Sequence, residues 1–349
     1  MSAPDVAVIG GGIVGTAAAA FLARGGARVE LFERGELASG ASGRNSGAVQ
    51  HPYDPELVGL HLQTLELYRA LEGFAFDDEP AGVLVLARDH AALAAVAADL
   101  ARACPELEPV MLDGGDAEPA LAPGVAACRL RSGYPVQPEA ATLAFAAAAR
   151  DAGAVLHTEA EATAAELLRS AGAVLVAAGP WTPAVVDPTG RWRPIAPVWG
   201  VNVEVALDDP PRAILEEGGV ETAVTGAAPA SLFSLVTAGG VSALGSTFLD
   251  EEPDPATLAP ALLERGAAFV PALAEADPVS VRACARPQSF DGRPLLGSVP
   301  GIERLYVAAG HGPWGISTAP ASACLVADAI LHPGTAMLEA LDVARACAG

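Results

Sequence analysis

The chain has 349 residues, room for two domains at about 150 residues each. Acidic residues outnumber basic ones 42 to 20, giving a formal charge of −22 and a pI near 4.5, so nucleic acid and anionic membrane surfaces repel it. Every basic residue is Arg, which excludes Walker-type nucleotide hydrolysis, pyridoxal Schiff bases and lysine-assisted oxygen activation.

Apolar residues make up 52% and charged residues 18%, enough for a large core. The five cysteines are scattered, with no CxxC and no Cys/His spacing, so neither a metal site nor a disulfide framework is expected. A reduced, cytoplasmic chain is the plain reading. The N-terminus shows no basic segment ahead of an apolar one, so no secretory leader is expected. Apolar stretches are expected to fall short of the roughly 20 residues a membrane span needs.

Val6 to Ile9 is a short apolar run, the pattern of a strand buried on both faces. It leads into Gly10, Gly11, Gly12, Ile13, Val14 and Gly15, which satisfy GxGxxG, and then into an alanine-rich helix from Ile13 to about Arg24. Val29 to Glu33 reads as a second strand ending in an acid, followed by Arg34. Gly10 permits the tight turn, Gly12 lets the backbone approach a pyrophosphate, and Gly15 lets helix and strand pack closely. The helix start, Ile13 and Val14, offers N–H groups to phosphate. Glu33 is placed to accept from a ribose and disfavours a 2′-phosphate. In this strand–glycines–helix–strand–acid context the motif points to an adenine dinucleotide.

From Gly40 to Ala48 the chain is dense in small and hydroxyl residues, which an NAD dehydrogenase does not need there. This stretch resembles that of the D-amino acid oxidase superfamily, which includes glycine oxidase and sarcosine oxidase. The resemblance implies that Ser39, Ser42, Gly43, Arg44, Asn45, Ser46 and Gly47 run along FAD; a flexible linker is the alternative. Ala173 to Trp181 resembles the family's Ala-Ala-Gly-x-Trp element, which makes Ala178, Gly179 and Trp181 cofactor contacts, although Trp181 also reads as core. Arg286 to Gly297 resembles the signature Arg-Pro-x-x-x-Asp-Gly-x-Pro-x-x-Gly. A strand from Leu305 to Ala309 then leads into Gly310, His311, Gly312, Trp314, Gly315 and Ile316, and a helix runs from about Ser317 to Leu331. A helix start aimed at the flavin stabilises negative charge on the reduced ring.

The implied fold is α/β: a Rossmann-type, glutathione-reductase-like FAD-binding domain with a second, mixed-sheet α+β substrate domain. Residues 1–77, 136–196 and 285–349 are expected to form the first, and 78–135 and 197–284 the second. Val83 to Ala87, Gly200 to Ala206, Ser231 to Thr237 and Val241 to Ser246 read as strands, and Ala91 to Arg102 and Pro255 to Phe269 as helices. Residues 155–173 are shorter than the family's meander, with a helix expected over Ala162 to Ser170. No Cys or His stands where relatives attach flavin, so FAD is expected to be non-covalent.

By resemblance Arg286 holds a substrate carboxylate; pairing with Asp291 is the structural alternative. An unbroken strand would put Arg282 on the same face. His51 and Tyr53 are candidates to cover the ring, and Tyr134 to line the pocket. For His311, backbone positioning is the favoured role. The implied activity is oxidation of the C–N bond of a small amino acid or amine carboxylate by hydride transfer to flavin, with O2 or another acceptor reoxidising it. Two other readings stay open: a flavin-dependent 2-hydroxy acid dehydrogenase resembling L-2-hydroxyglutarate dehydrogenase, with His51 or His311 as base, and a non-catalytic flavoprotein subunit. No nucleic acid partner and no membrane span are expected.

Overall fold

The structure, a computed structural model, describes residues 3–219 and 230–346. Its first sheet is centred on Val6–Ile9, buried along its whole length because strands flank both edges. Val6 and Val8 point into a core shared with the helix Ile13–Arg24. Ala7 and Ile9 point the other way, into a core with Leu167 and Val343. This alternation explains why the strand is apolar throughout. The sheet has six strands in the order 295–298, 305–309, 173–176, 6–9, 29–32 and 155–157. All pairs are parallel except the first. Ala17 to Ala20 are fully buried; with no bulk beyond Cβ, they suit close helix packing.

The second sheet has eight strands in the order 278–289, 195–205, 241–247, 231–238, 214–217, 83–87, 126–130 and 110–113. Only the pairing of 214–217 with 83–87 is parallel. Leu84 and Leu86 face the core beneath the helix Pro255–Ala267, while Val83 and Val85 face that of the helix His90–Ala103.

The expected elements are present, with differences. The strands Ile195–Val205 and Pro278–Ser289 are longer than read and run unbroken through 196–197 and 284–285. The segment after Val155–His157 keeps only one helical turn, Ala164–Leu167, not a helix over 162–170. The expectation on apolar length is corrected by Gly312–Leu331, 20 residues of mean hydropathy 1.3. These residues are long and apolar enough to cross a membrane, yet 72% of the apolar window is buried inside the protein. They are apolar because the helix Gly315–Leu331 packs in the core with Ile13–Arg24 and Val58–Arg69.

Candidate active site

Between the sheets lies a cavity of about 700 Å³, a size usual for cofactor and ligand sites. The Gly10–Val14 turn, the 39–46 loop, residues 177–181 and the start of the last helix form one side, and the face of the eight-stranded sheet forms the other.

The turn is possible only with glycine. Gly10 has φ +114°, and a Cβ there would stand 2.4 Å from the Ala177 carbonyl oxygen; a Cβ on Gly15 would stand 1.9 Å from that of Gly10. Gly12 precedes the helix in extended conformation and offers no side chain as a cap. The Ile13 N–H is instead donated to Ser42 Oγ at 3.0 Å, which ties the two loops together. The Glu33 carboxylate accepts from Gly11 N–H at 2.6 Å and Gly35 N–H at 2.8 Å, fixing the end of the second strand beside the turn. Arg34 stacks over Trp181 at 4.2 Å. Trp181 is 40% exposed and lines the cavity, so it is not core.

The 39–46 loop is held from within and from across the cavity. The Asn45 amide donates to the carbonyls of Ala41 and Ser42 and accepts from Gly47 N–H. From the opposite sheet, Arg282 donates to the carbonyl oxygens of Arg44 (3.2 Å) and Asn45 (3.0 Å), and Asn202 donates to Arg44 O (3.2 Å). Arg282 also pairs with Glu204. It shares a strand face with Arg286, as the spacing predicts, but it fastens the loop.

Arg286 is held differently. It donates to Thr247 O at 2.9 Å and to Ser246 Oγ, and stacks over Phe248 at 4.8 Å. Burial pushes its pKa down, yet a guanidinium stays charged. Among the described residues no carboxylate pairs with it. Asp291, the alternative partner, instead accepts from Arg345 at 2.9 and 3.2 Å and from Arg293 N–H. A buried cation without a counter-charge makes a binding site for an anion.

His311 lines the cavity almost fully buried, and its Nε2 has no hydrogen-bond partner. Burial lowers its pKa to about 4, so it is neutral at pH 7. Beside it, the last helix starts without a side-chain cap, and its first residues, Gly315 and Ile316, line the cavity. Gly10, Gly12 and this helix start suit phosphate and flavin, so the residues present fit a dinucleotide.

Of the expected cofactor residues, Gly15, Gly43, Gly47 and Gly310 stand behind the cavity wall; the others line it. Gly43 and Gly47 leave room for the Ala38 and Val136 carbonyls, and Gly310 takes a positive φ. His51 and Tyr53 are not brought to the cavity. His51 donates its N–H to Ser132 and places Nε2 3.2 Å from Glu106, while Tyr53 meets Trp314 edge-on at 5.5 Å. Tyr134, also outside the lining, stacks on Phe76. The sequence reading missed Gln50, Trp199, Glu216, Ser246, Phe248 and Cys284, which all line it. Burial raises the pKa of Cys284, which keeps it a thiol.

The family described as FAD dependent oxidoreductase (DAO) matches residues 5–329. Glycine oxidase of Pseudomonas aeruginosa is 30% identical, the match spanning 93% of each chain. Glycine oxidase of Geobacillus kaustophilus is 31% identical over 95% of this chain and 94% of the relative. A crystal structure of glycine oxidase from Geobacillus kaustophilus superposes with a TM-score of 0.82, 27% identity and coverage of 98% and 99%.

Proposed function

The chain belongs to the DAO family of FAD-dependent oxidoreductases, and from that premise we propose that it oxidises the C–N bond of a small amino acid such as glycine, an N-substituted glycine or a D-amino acid. The observation that supports this most is Arg286, a desolvated guanidinium in the cavity that no described carboxylate neutralises. Its planar fork matches a substrate carboxylate.

FAD, bound without a covalent link, supplies the acceptor for the hydride from the α-carbon. Arg286 anchors the carboxylate, which sets the α-carbon in one place rather than letting it tumble. Phe248 beneath the guanidinium limits its movement. The positive end of the last helix, which lines the cavity, stabilises negative charge gathered near it. The oxidised product is an imine, which water hydrolyses, and O2 taking up the two electrons and two protons gives H2O2. No side chain has to remove the α-hydrogen as H+, because from the neutral amine it leaves as hydride while the nitrogen lone pair forms the C=N bond.

We assign the six-stranded sheet to FAD and the eight-stranded sheet to the substrate. A reducing, cytoplasmic setting agrees with free Cys104, Cys128, Cys284 and Cys324. Oxidation of a hydroxy acid would need a base, and His311, with a pKa of about 4, is a weak one.

The test is anaerobic titration of the yellow protein with glycine, N-alkylglycines, D-amino acids and 2-hydroxy acids. Bleaching of the oxidised-flavin band by an amine, followed by H2O2 on admitting oxygen, is the expected result. Bleaching by a hydroxy acid alone, or by nothing in the panel, overturns the proposal.

A further inference from the structure

The cavity has a second polar pole facing Arg286. Glu216 lies in the strand Ile214–Glu217, only 7% exposed, and lines the cavity. Gln50 follows the short strand Ala48–Val49, is 4% exposed, and lines the same space. Its Nε2 donates to both oxygens of Glu216, at 3.0 and 3.1 Å. That contact fixes the amide's orientation, because the reverse would set an oxygen against a carboxylate. The amide oxygen Oε1 is thereby committed as an acceptor, and it is buried with no hydrogen-bond partner. The Gln50 backbone N–H is donated to Ser317 Oγ at 3.0 Å, which ties this residue to the first turn of the last helix.

Strand register sets the distance between the poles. Glu216 stands opposite Ser234, and Ser234 opposite Gly245. The Arg286 guanidinium reaches over to Ser246 and Thr247 of that same third strand. The poles are therefore about two strand spacings, or roughly 10 Å of backbone, apart, and both side chains reach into the space between. One end offers donors and positive charge, the other acceptors and negative charge. A zwitterion lies across them in one direction only.

We propose that Glu216 and Gln50 form the recognition site for the substrate's amine, the Glu216 carboxylate and Gln50 Oε1 accepting from a protonated or hydrogen-bearing nitrogen while Arg286 holds the carboxylate. This rests on the amino-acid reading above and adds to it the nitrogen's binding site and the requirement for a nitrogen-bound hydrogen. A charge-assisted bond in a desolvated cavity is strong enough to discriminate. It selects an amine over a hydroxyl or hydrogen at the same carbon.

The test uses the FAD-loaded enzyme and two carboxylates of nearly the same shape. 2-Aminoisobutyrate bears an amine but no hydrogen on the α-carbon, so it binds without being oxidised; isobutyrate lacks the amine. Affinities are read from perturbation of the oxidised-flavin spectrum and by calorimetry. The wild type is expected to prefer the amine by ten-fold or more. Glu216→Gln, nearly isosteric, is expected to abolish that preference while leaving isobutyrate affinity within about two-fold. Gln50→Met provides a second variant with a smaller loss. A preference retained in both variants, or absent from the wild type, overturns the proposal even where glycine or an N-alkylglycine still bleaches the flavin. If the wild type binds neither carboxylate and no amine bleaches it, the amino-acid reading falls as well.

Discussion

The guanidinium of Arg286 rests on the bare α-carbon of Gly200. A Cβ built at Gly200 would meet Nη2 at 2.4 Å, Cζ at 2.6 Å and Nη1 at 2.7 Å. The two residues are diagonal neighbours, since Gly200 pairs with Cys284 and Arg286 with Val198. Glycine here does not serve backbone freedom. It gives the cation a place to lie flat.

Gly200→Val should therefore displace the guanidinium without touching the cofactor loops. A lost charged hydrogen-bond pair is worth about 3 kcal/mol, or about 100-fold in affinity. The KM for the amino acid should rise by about that factor with FAD content unchanged. Steady-state kinetics alongside the ratio of protein to flavin absorbance checks both halves.

Gly15→Ala strikes the other side of the cavity. The added methyl would sit 1.9 Å from the Gly10 carbonyl oxygen, so the turn and helix must separate. A small-to-large change in a packed site costs about 1–3 kcal/mol, and the turn proposed to hold the pyrophosphate moves with it. The variant should purify colourless, with less than about a tenth of the wild-type flavin. Reconstitution with excess FAD, followed by absorbance, measures this.

Two buried histidines set an acid limit. His61 and His311 both have pKa values lowered to about 4, chiefly by desolvation. Unfolded, each binds its proton near 6.5, so between pH 6.5 and 4 the unfolded chain holds more protons than the folded one. Stability is therefore full above about pH 6.5, declines as pH falls towards 4, and changes no further through these groups below that. The loss is on the order of 3 kcal/mol for each group. Urea midpoints at pH 7, 5.5 and 4 should fall in that order, and His61→Leu should flatten the slope.

Arg282→Gln should loosen the flavin loop by removing the donors to Arg44 O and Asn45 O. The Kd for FAD is expected to rise about ten-fold, as two charged hydrogen bonds at a partly exposed site weaken. Affinity for a substrate carboxylate should stay within two-fold, because Arg286 keeps its own partners. Fluorescence titration of the apoprotein with FAD gives the first quantity and ligand-induced spectral shifts the second.

The parts of this molecule written in local order were legible in the sequence. Gly10 to Gly15 and Glu33 lie within one strand–helix–strand unit, so spacing alone placed them. The Asn45 loop and Arg286 were legible through resemblance. Glu216 was not, because an acid in the short run Ile214 to Glu217 announces nothing until register sets it opposite Ser234, facing the cavity. Gln50 went unread for the same reason: its neighbour His51 looked chemically richer, but alternation along an extended chain turns adjacent side chains to opposite sides. Arg282 carried the right face and a different task, since its partner Glu204 comes from the neighbouring strand. The length of Gly312–Leu331 was underestimated because its glycine, serine and threonine residues dilute the apolar pattern.

The fastening of the 44–45 carbonyls by Asn202 and Arg282 couples the two halves of the molecule, which are therefore expected to melt together. The loop proposed to cradle the cofactor is bolted to strands of the eight-stranded sheet, so loosening either half is expected to disturb the other. Bound FAD then acts as a rivet. Its affinity would add to the cohesion of the whole chain, and the rise of free-flavin fluorescence on heating is expected to coincide with the collapse of both sheets.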